Sequence, residues 1–201
     1  MDGRNGKLPL PSQPQVAARN VVSEILLISG SPSYPSRSGA LLDYAAERLN
    51  ADGLSTELVS VRDYPAEDLT LGKYDSSAFE VTKRLVASAR GLIVATPVYK
   101  AAYTGSLKAL LDILPPQAFR NKTVLPIATG GSLAHLLVLD YALKPVLAAL
   151  GASDIQQGVY VTDGQLQLGQ KSGLFVDEEI RKRFDRELDS LAAKVKTPAF
   201  V

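Results

Sequence analysis

Residues 25–38 of the chain, ILLISGSPSYPSRS, pass from an apolar run through a glycine into a segment crowded with hydroxyl groups. A helical pattern begins directly afterwards at residues 39–42, GALL. A buried strand, a tight loop and a helix start in this order predict an anion site, because the first backbone N–H groups of a helix lack intrahelical partners and its dipole is positive there. We therefore expect a phosphate-bearing ligand at this turn. The candidate phosphate-binding residues are Ser31, Ser36, Arg37 and Ser38.

This loop matches neither of the common nucleotide-binding patterns. It lacks G-x-x-x-x-G-K-[ST], which disfavours ATP or GTP hydrolysis, and it lacks G-x-G-x-x-G, which disfavours a standard dinucleotide fold. A hydroxyl-rich loop without lysine suits a terminal phosphate monoester. The simpler alternative is a helix that Ser36 or Ser38 caps without any ligand.

Apolar strand patterns alternate with helical patterns along the chain. This alternation predicts an α/β fold with a flavodoxin-like, doubly wound, five-stranded parallel sheet in the order 2-1-3-4-5 and helices on both faces. The predicted strands are 24–29, 55–61, 91–96, 122–128 and 155–162. One predicted helix ends near Gly53, and the others span 76–89, 105–114, 133–150 and 178–194. Residues 163–173 are predicted to form a polar loop.

Two further loops follow the third and fourth predicted strands. Residues 97–105 carry two tyrosines and a lysine, and their backbone N–H groups could reach the edge of a flat heterocycle. Residues 129–132 contain paired glycines, which permit close backbone approach to a ligand. Ordinary turns, with tyrosines that pack at an interface, are the alternative. The candidate residues for contacts with a ring are Pro97, Val98, Tyr99, Lys100, Thr129, Gly130, Gly131 and Ser132.

The helix predicted over residues 133–150 is apolar nearly all round, so we expect one face on the sheet and another against a second subunit. Pro145 has no N–H to donate to the carbonyl of Tyr141, which predicts a kink or a π-bulge near Tyr141. His135, the single histidine, is expected to pack against or cap a helix.

Composition excludes several classes of protein. The 201 residues carry a formal net charge of +1 with scattered basic residues, which argues against nucleic acid as a partner. The absence of cysteine excludes disulfides and a cysteine nucleophile and suits the cytoplasm. We see no metal-ligand spacing and no apolar run of the roughly 20 residues that a membrane span needs. We expect a disordered arm at 1–20, one domain at 21–195 and a tail at 196–201.

The loops resemble those of the NADPH-dependent FMN reductases of the flavodoxin-like superfamily, especially the branch that serves alkanesulfonate monooxygenases. The resemblance covers residues 24–193, and its more specific parts are 97–103 and 141–145. The matching segments are GSP at 30–32, PSRS at 35–38, GLIVATPVYKAAY at 91–103, ATGG at 128–131, AHLL at 134–137 and DYALKPVL at 140–147.

This resemblance implies that the loop at 31–38 holds the phosphate of FMN and that the other two loops contact the isoalloxazine. It implies that a hydride passes from NADPH to FMN without a catalytic side chain, because the cofactors carry the reaction. It also implies a supporting role for Lys100 near anionic NADPH or reduced flavin. It also implies a homodimer or homotetramer with Tyr141 in a π-helix at the interface. An FMNH2-dependent monooxygenase would receive the product, and we expect this chain to be cytoplasmic.

Two alternative functions remain open, and the first of them uses the same predicted rim. An FMN-bound quinone or azo reductase would keep its flavin and pass electrons to an organic acceptor. A flavodoxin-like electron carrier would exchange electrons with protein partners, but such carriers are commonly strongly acidic, whereas this chain is close to neutral.

Overall fold

A parallel sheet forms the centre of the computed structural model, which describes residues 23–168, 173–175 and 177–197. The arm predicted at 1–20 and most of the tail predicted at 196–201 lie outside the described residues. The strands are β1 (Ile25–Ser29), β2 (Thr56–Ser60), β3 (Gly91–Pro97), β4 (Thr123–Gly130), β5 (Asp154–Ile155), β6 (Val159–Thr162), β7 (Leu166–Leu168) and β8 (Gly173–Phe175). The α-helices are α1 (Arg37–Ala51), α2 (Ala66–Thr70), α3 (Glu80–Ser88), α4 (Gly105–Asp112), α5 (Lys144–Ala149) and α6 (Glu178–Lys196).

The order of the sheet is β2-β1-β3-β4-β5, and β6 also pairs with β4, so the predicted flavodoxin-like order is confirmed. Along β1, Leu26 and Ile28 belong to one buried cluster, whereas Ile25 and Leu27 belong to the other. Alternation between two cores means that helices cover both faces of the sheet, which explains the near-continuous apolar run of this strand.

The predicted fifth strand is interrupted, and this is a correction. Residues 155–162 contribute to β5 and β6, which pair separately with β4. The cause lies in β4. The carbonyl of Val124 in this strand accepts a hydrogen bond from the N–H of Gln156. The backbone of Pro126, two residues further along β4, faces the same neighbouring strand but has no N–H to donate to it. Gly158 turns beside it with φ +86°, where an added Cβ would lie 2.7 Å from the carbonyl oxygen of Pro126.

The polar loop predicted at residues 163–173 is also corrected, because it includes β7, which pairs with β8 as an antiparallel ribbon. This ribbon contacts α1 and α6 at one side of the sheet. Its strands are three residues each, too short for a clear alternation of apolar and polar residues.

The long helix predicted at residues 133–150 is not a single α-helix. It begins as a 3₁₀-helix at Leu133–His135, continues as a π-helix at Leu139–Leu143 and ends as α5. The N–H of Lys144 donates to the carbonyl of Leu139, a spacing of five residues. Tyr141, near which the sequence predicts a kink or π-bulge, lies within the π-helix.

The 3₁₀ turns Val61–Asp63 and Ser77–Phe79 precede α2 and α3, so the helix predicted at 76–89 begins in a tighter form than expected. Along the described residues, no helix combines the length and the apolar character that a membrane crossing requires.

Candidate functional site

The loop after β1 is shaped by its own serines. Ser36 caps α1, since its Oγ accepts the N–H of Gly39 at 3.1 Å. Buried Ser31 donates to the carbonyl of Ser33 and accepts the N–H of the same residue, both at 3.2 Å. The capping role considered for Ser36 is therefore present, and Ser31 has a structural role in the loop.

Two polar atoms at the start of α1 have no partner in the described part of the chain. The Oγ of Ser38 and the Nε of Arg37 are buried and make no hydrogen bond. Buried polar atoms are costly without partners, and they lie here beside the unpaired N–H groups of a helix start. The residues at this turn thus fit a phosphate group, which accepts several hydrogen bonds at once.

Arg37 also meets a carboxylate from the other side of the rim. Its Nη1 lies 3.4 Å from Oδ1 of Asp163, and both side chains are partly exposed. The backbone N–H of Asp163 donates to the carbonyl of Gly130 at 3.0 Å. Sequence reasoning placed Asp163 only at the start of a polar loop, since nothing local signals an ion pair across the rim.

Thr104 joins the loop after β1 to the loop after β3. Its buried hydroxyl donates to the carbonyl of Gly30 at 2.5 Å and accepts the N–H of Leu107 at 3.1 Å. The N–H of Thr104 donates to Oγ1 of Thr96 at 3.2 Å. The sequence carried part of this signal, because threonine before a helix start is a common N-cap.

Residues 99–102 form a tight turn on the loop after β3. The backbones of Tyr99 and Ala102 exchange hydrogen bonds of 2.8 and 3.1 Å. Lys100 and Ala101 adopt φ values of 50° and 64°, the left-handed region that glycine usually occupies in such a turn. A turn that non-glycine residues hold in this region is strained, and such turns cluster at ligand sites. Tyr99 and Lys100 are exposed on it, and Pro97 and Val98 lead into it.

The end of β4 lies beside the residue that leads into this turn. The N–H of Val98 donates to the carbonyl of buried Thr129 at 2.8 Å. The hydroxyl of Tyr160 donates to the carbonyl of Ser132 at 2.8 Å. Burial raises the pKa of Tyr160, and the charge of Asp163 adds to the increase.

The paired glycines have different surroundings. A Cβ on Gly130 would clash with the hydroxyl of Tyr160, whereas a Cβ on Gly131 would meet nothing within 4 Å. Gly130 is therefore required for packing, and Gly131 leaves open backbone at the rim.

An exposed apolar surface adjoins this loop, and we call it the rim patch. The side chains of Leu133, Leu137 and Tyr141 are 62%, 60% and 80% exposed, and Leu136 lies between them. His135 is exposed in the same segment and is not buried in a helix contact, contrary to expectation. So much apolar surface on one side is typical of an interface.

The structure thus brings the three predicted loops to one rim at the carboxyl ends of β1, β3 and β4. It adds Thr104, Tyr160 and Asp163, which sequence reasoning missed. Among the described residues no group of three or more acidic or histidine side chains is arranged to hold a metal ion. The polar groups at this rim are suited to binding an anion and an adjacent flat ring.

Comparisons with known proteins agree with this arrangement. A family model described as NADPH-dependent FMN reductase matches residues 23–167. An enzyme of Pseudomonas putida named FMN reductase (NADPH) is 52% identical over 142 residues, which cover 71% of this chain and 72% of that enzyme. An enzyme of the same name from Escherichia coli is 51% identical over 144 residues, with coverage of 71% and 74%.

Solved structures also match the chain. The apo form of an NADH:FMN oxidoreductase, EMOB, matches with a TM-score of 0.78 and 34% sequence identity. The match covers 88% of this chain and 92% of that one.

The contrast between the two glycines leads to a stability prediction. Gly130→Ala should lower the free energy of unfolding by about 1–3 kcal/mol, because the new methyl group displaces the Tyr160 hydroxyl from Ser132. Gly131→Ala, the matched control, should change it by less than about 0.5 kcal/mol. Urea unfolding of both variants measures the difference, and equal stabilities would contradict the packing role of Gly130.

Proposed function

The chain belongs to the family of NADPH-dependent FMN reductases, and we propose that it releases reduced FMN to a partner monooxygenase of sulfonate metabolism. As a member of this family it is an oxidoreductase that uses FMN and NADPH. The proposal on the partner is supported by the resemblance of residues 97–103 and 141–145 to the branch that serves alkanesulfonate monooxygenases.

The buried, unpartnered atoms of Arg37 and Ser38 carry the assignment of the FMN phosphate to the start of α1. Ser31 and Ser36 hold the loop in shape around that position through their own backbone contacts. A phosphate placed there would accept hydrogen bonds from the helix start and a charge-assisted bond from Arg37.

We assign the flavin ring to the space beside the other two loops. Pro97, Val98 and the turn at Tyr99 would line one part of it, and the open backbone at Gly131 and Ser132 would line another. Thr129 supports both parts, because its carbonyl accepts the N–H of Val98. Lys100, exposed on the turn, supplies positive charge for anionic NADPH.

The chain's own contribution to the reaction is positioning. FMN, when bound, supplies the chemistry, since it accepts a hydride from the nicotinamide of NADPH. The tight turn at residues 99–102 and the glycine loop are the elements that would hold the flavin ring and orient the nicotinamide against it. This explains why the rim offers binding groups in place of a general acid and base.

We also propose that the rim patch is the interface of a homodimer or homotetramer. A second copy of the chain would cover Leu133, Leu137 and Tyr141, and Pro145 maintains the π-helix that presents Tyr141. The support is the exposure of four large apolar side chains in one segment, which follows directly on the glycine loop.

A substrate assay tests the proposed function. The purified protein should oxidise NADPH with saturable dependence on added FMN and without another acceptor, and riboflavin should be a poorer substrate because it lacks the phosphate. Absorbance at the NADPH band gives the rate. Turnover that needs a quinone or azo dye while FMN stays bound would support the alternative enzyme. A complete absence of NADPH oxidation would support an electron carrier.

The phosphate assignment makes Arg37 the sharpest target for mutation. Arg37→Ala should weaken FMN binding by about 1.5–3 kcal/mol, the contribution of a hydrogen bond to a charged group, and should leave riboflavin binding unchanged. Quenching of flavin fluorescence measures both affinities. Arg48→Ala, which removes a partly exposed arginine at the opposite end of α1, is the control and should bind FMN like the wild type. Unchanged FMN affinity in Arg37→Ala would refute the assignment.

The interface proposal is tested by a charge in the rim patch. Leu137→Asp should raise the dissociation constant of the oligomer at least about tenfold, because an interface core tolerates charge poorly. Sedimentation velocity over a range of concentrations measures it. Leu71→Asp, at an equally exposed leucine after α2, should leave the assembly intact. An oligomer that Leu137→Asp does not weaken would place the interface elsewhere.

A further inference from the structure

The carboxylate of Asp163 faces the guanidinium that is assigned to the FMN phosphate. Nη1 of Arg37 lies 3.4 Å from Oδ1 of Asp163, within the range of an ion pair. A negative charge beside an anion site acts against the function expected of that site, so this contact needs an explanation of its own.

The backbone holds Asp163 at this position. Its N–H donates to the carbonyl of Gly130 at 3.0 Å, directly beyond the last pairing of β4 with β6. The residue before it, Thr162, is fixed by Gln165, whose side-chain oxygen accepts both the N–H and the hydroxyl of Thr162 at 3.0 Å. The side chain of Asp163 therefore extends from an ordered turn at the carboxyl ends of the strands.

Two effects of this carboxylate oppose phosphate binding. Arg37 must give up its ion pair with the carboxylate when it binds the phosphate. The free energy of that ion pair is therefore subtracted from the free energy of phosphate binding. The phosphate would also lie next to the same guanidinium as the carboxylate of Asp163. The two negative groups would then be much closer together than the Debye length of about 10 Å at 0.1 M salt, so they would repel each other. Both side chains are partly exposed, so each effect is modest.

We propose that Asp163 is a positioning residue that limits how tightly the loop after β1 holds the FMN phosphate, and that it thereby favours release of reduced FMN. This inference rests on the proposed function, because release matters only for an enzyme that treats FMN as a substrate. In the free protein Asp163 keeps Arg37 engaged at the rim. On binding, the phosphate displaces it, and on release the carboxylate takes the guanidinium back.

Charge removal tests the proposal. Asp163→Asn should lower the dissociation constant of FMN about two- to fivefold, as expected for loss of a partly exposed charge interaction. The affinity for riboflavin should stay unchanged, because riboflavin has no phosphate. Fluorescence quenching gives the affinities and stopped-flow dilution gives the dissociation rate, which should fall for FMN alone. Asp163→Glu, which restores the charge, should return the FMN affinity towards that of the wild type.

Asp189→Asn is the matched control. Asp189 makes an ion pair with the other end of α1, where Oδ1 lies 2.9 Å from Nη2 of Arg48. This variant removes the same unit of negative charge, here from α6, next to an arginine of α1 that is far from the rim, so its affinity for FMN should equal that of the wild type. A gain in Asp189→Asn as large as that in Asp163→Asn would mean that net charge alone is responsible and would overturn the proposal.

Two further results would also overturn it. One is an Asp163→Asn variant that binds FMN no more tightly than the wild type, and the other is an equal change for FMN and riboflavin, which would indicate altered packing. Both presuppose a wild-type protein that binds FMN. A wild type that does not bind FMN would instead refute the proposed function, so the two failures are distinguishable.

Discussion

The hydroxyl of Thr104 holds two of the rim loops together, because it donates to the carbonyl of Gly30 while it accepts the N–H of Leu107. One buried group thereby completes the turn after β1 and caps α4. Gly30 is packed so closely against Leu107 that an added Cβ would lie 2.9 Å from it. The start of α1, with its unpartnered polar atoms, is placed relative to the ring loop through this contact.

The third loop depends on the same kind of restraint, with Tyr160 in the place of Thr104. Its hydroxyl binds the carbonyl of Ser132 and occupies the space that a side chain at position 130 would need. Thr129 then accepts the N–H of Val98. The rim is thus fixed by hydrogen bonds between loops, and the exposed residues Tyr99, Lys100 and Gly131 remain free of these restraints and open to ligands.

The sequence predicts the strand order well, because a chain that alternates buried strands with helices has few ways to form a sheet. It also predicts the three loops, since the carboxyl ends of parallel strands share one edge. The break between β5 and β6 was missed, although Pro126 carries its cause, because the effect falls on a neighbouring strand. Asp163 and Tyr160 could not be found from local pattern, since their roles exist only after distant segments meet.

The interruption at Gly158 limits how readily the outer strand of the sheet can pair with another chain. A long outer strand exposes a row of backbone donors and acceptors that can recruit another chain and start aggregation. Here the outer position is divided between two short strands of two and four residues, and a left-handed turn separates them. The proline that prevents continuous pairing inside the molecule therefore also leaves no continuous template on this edge for a strand from outside.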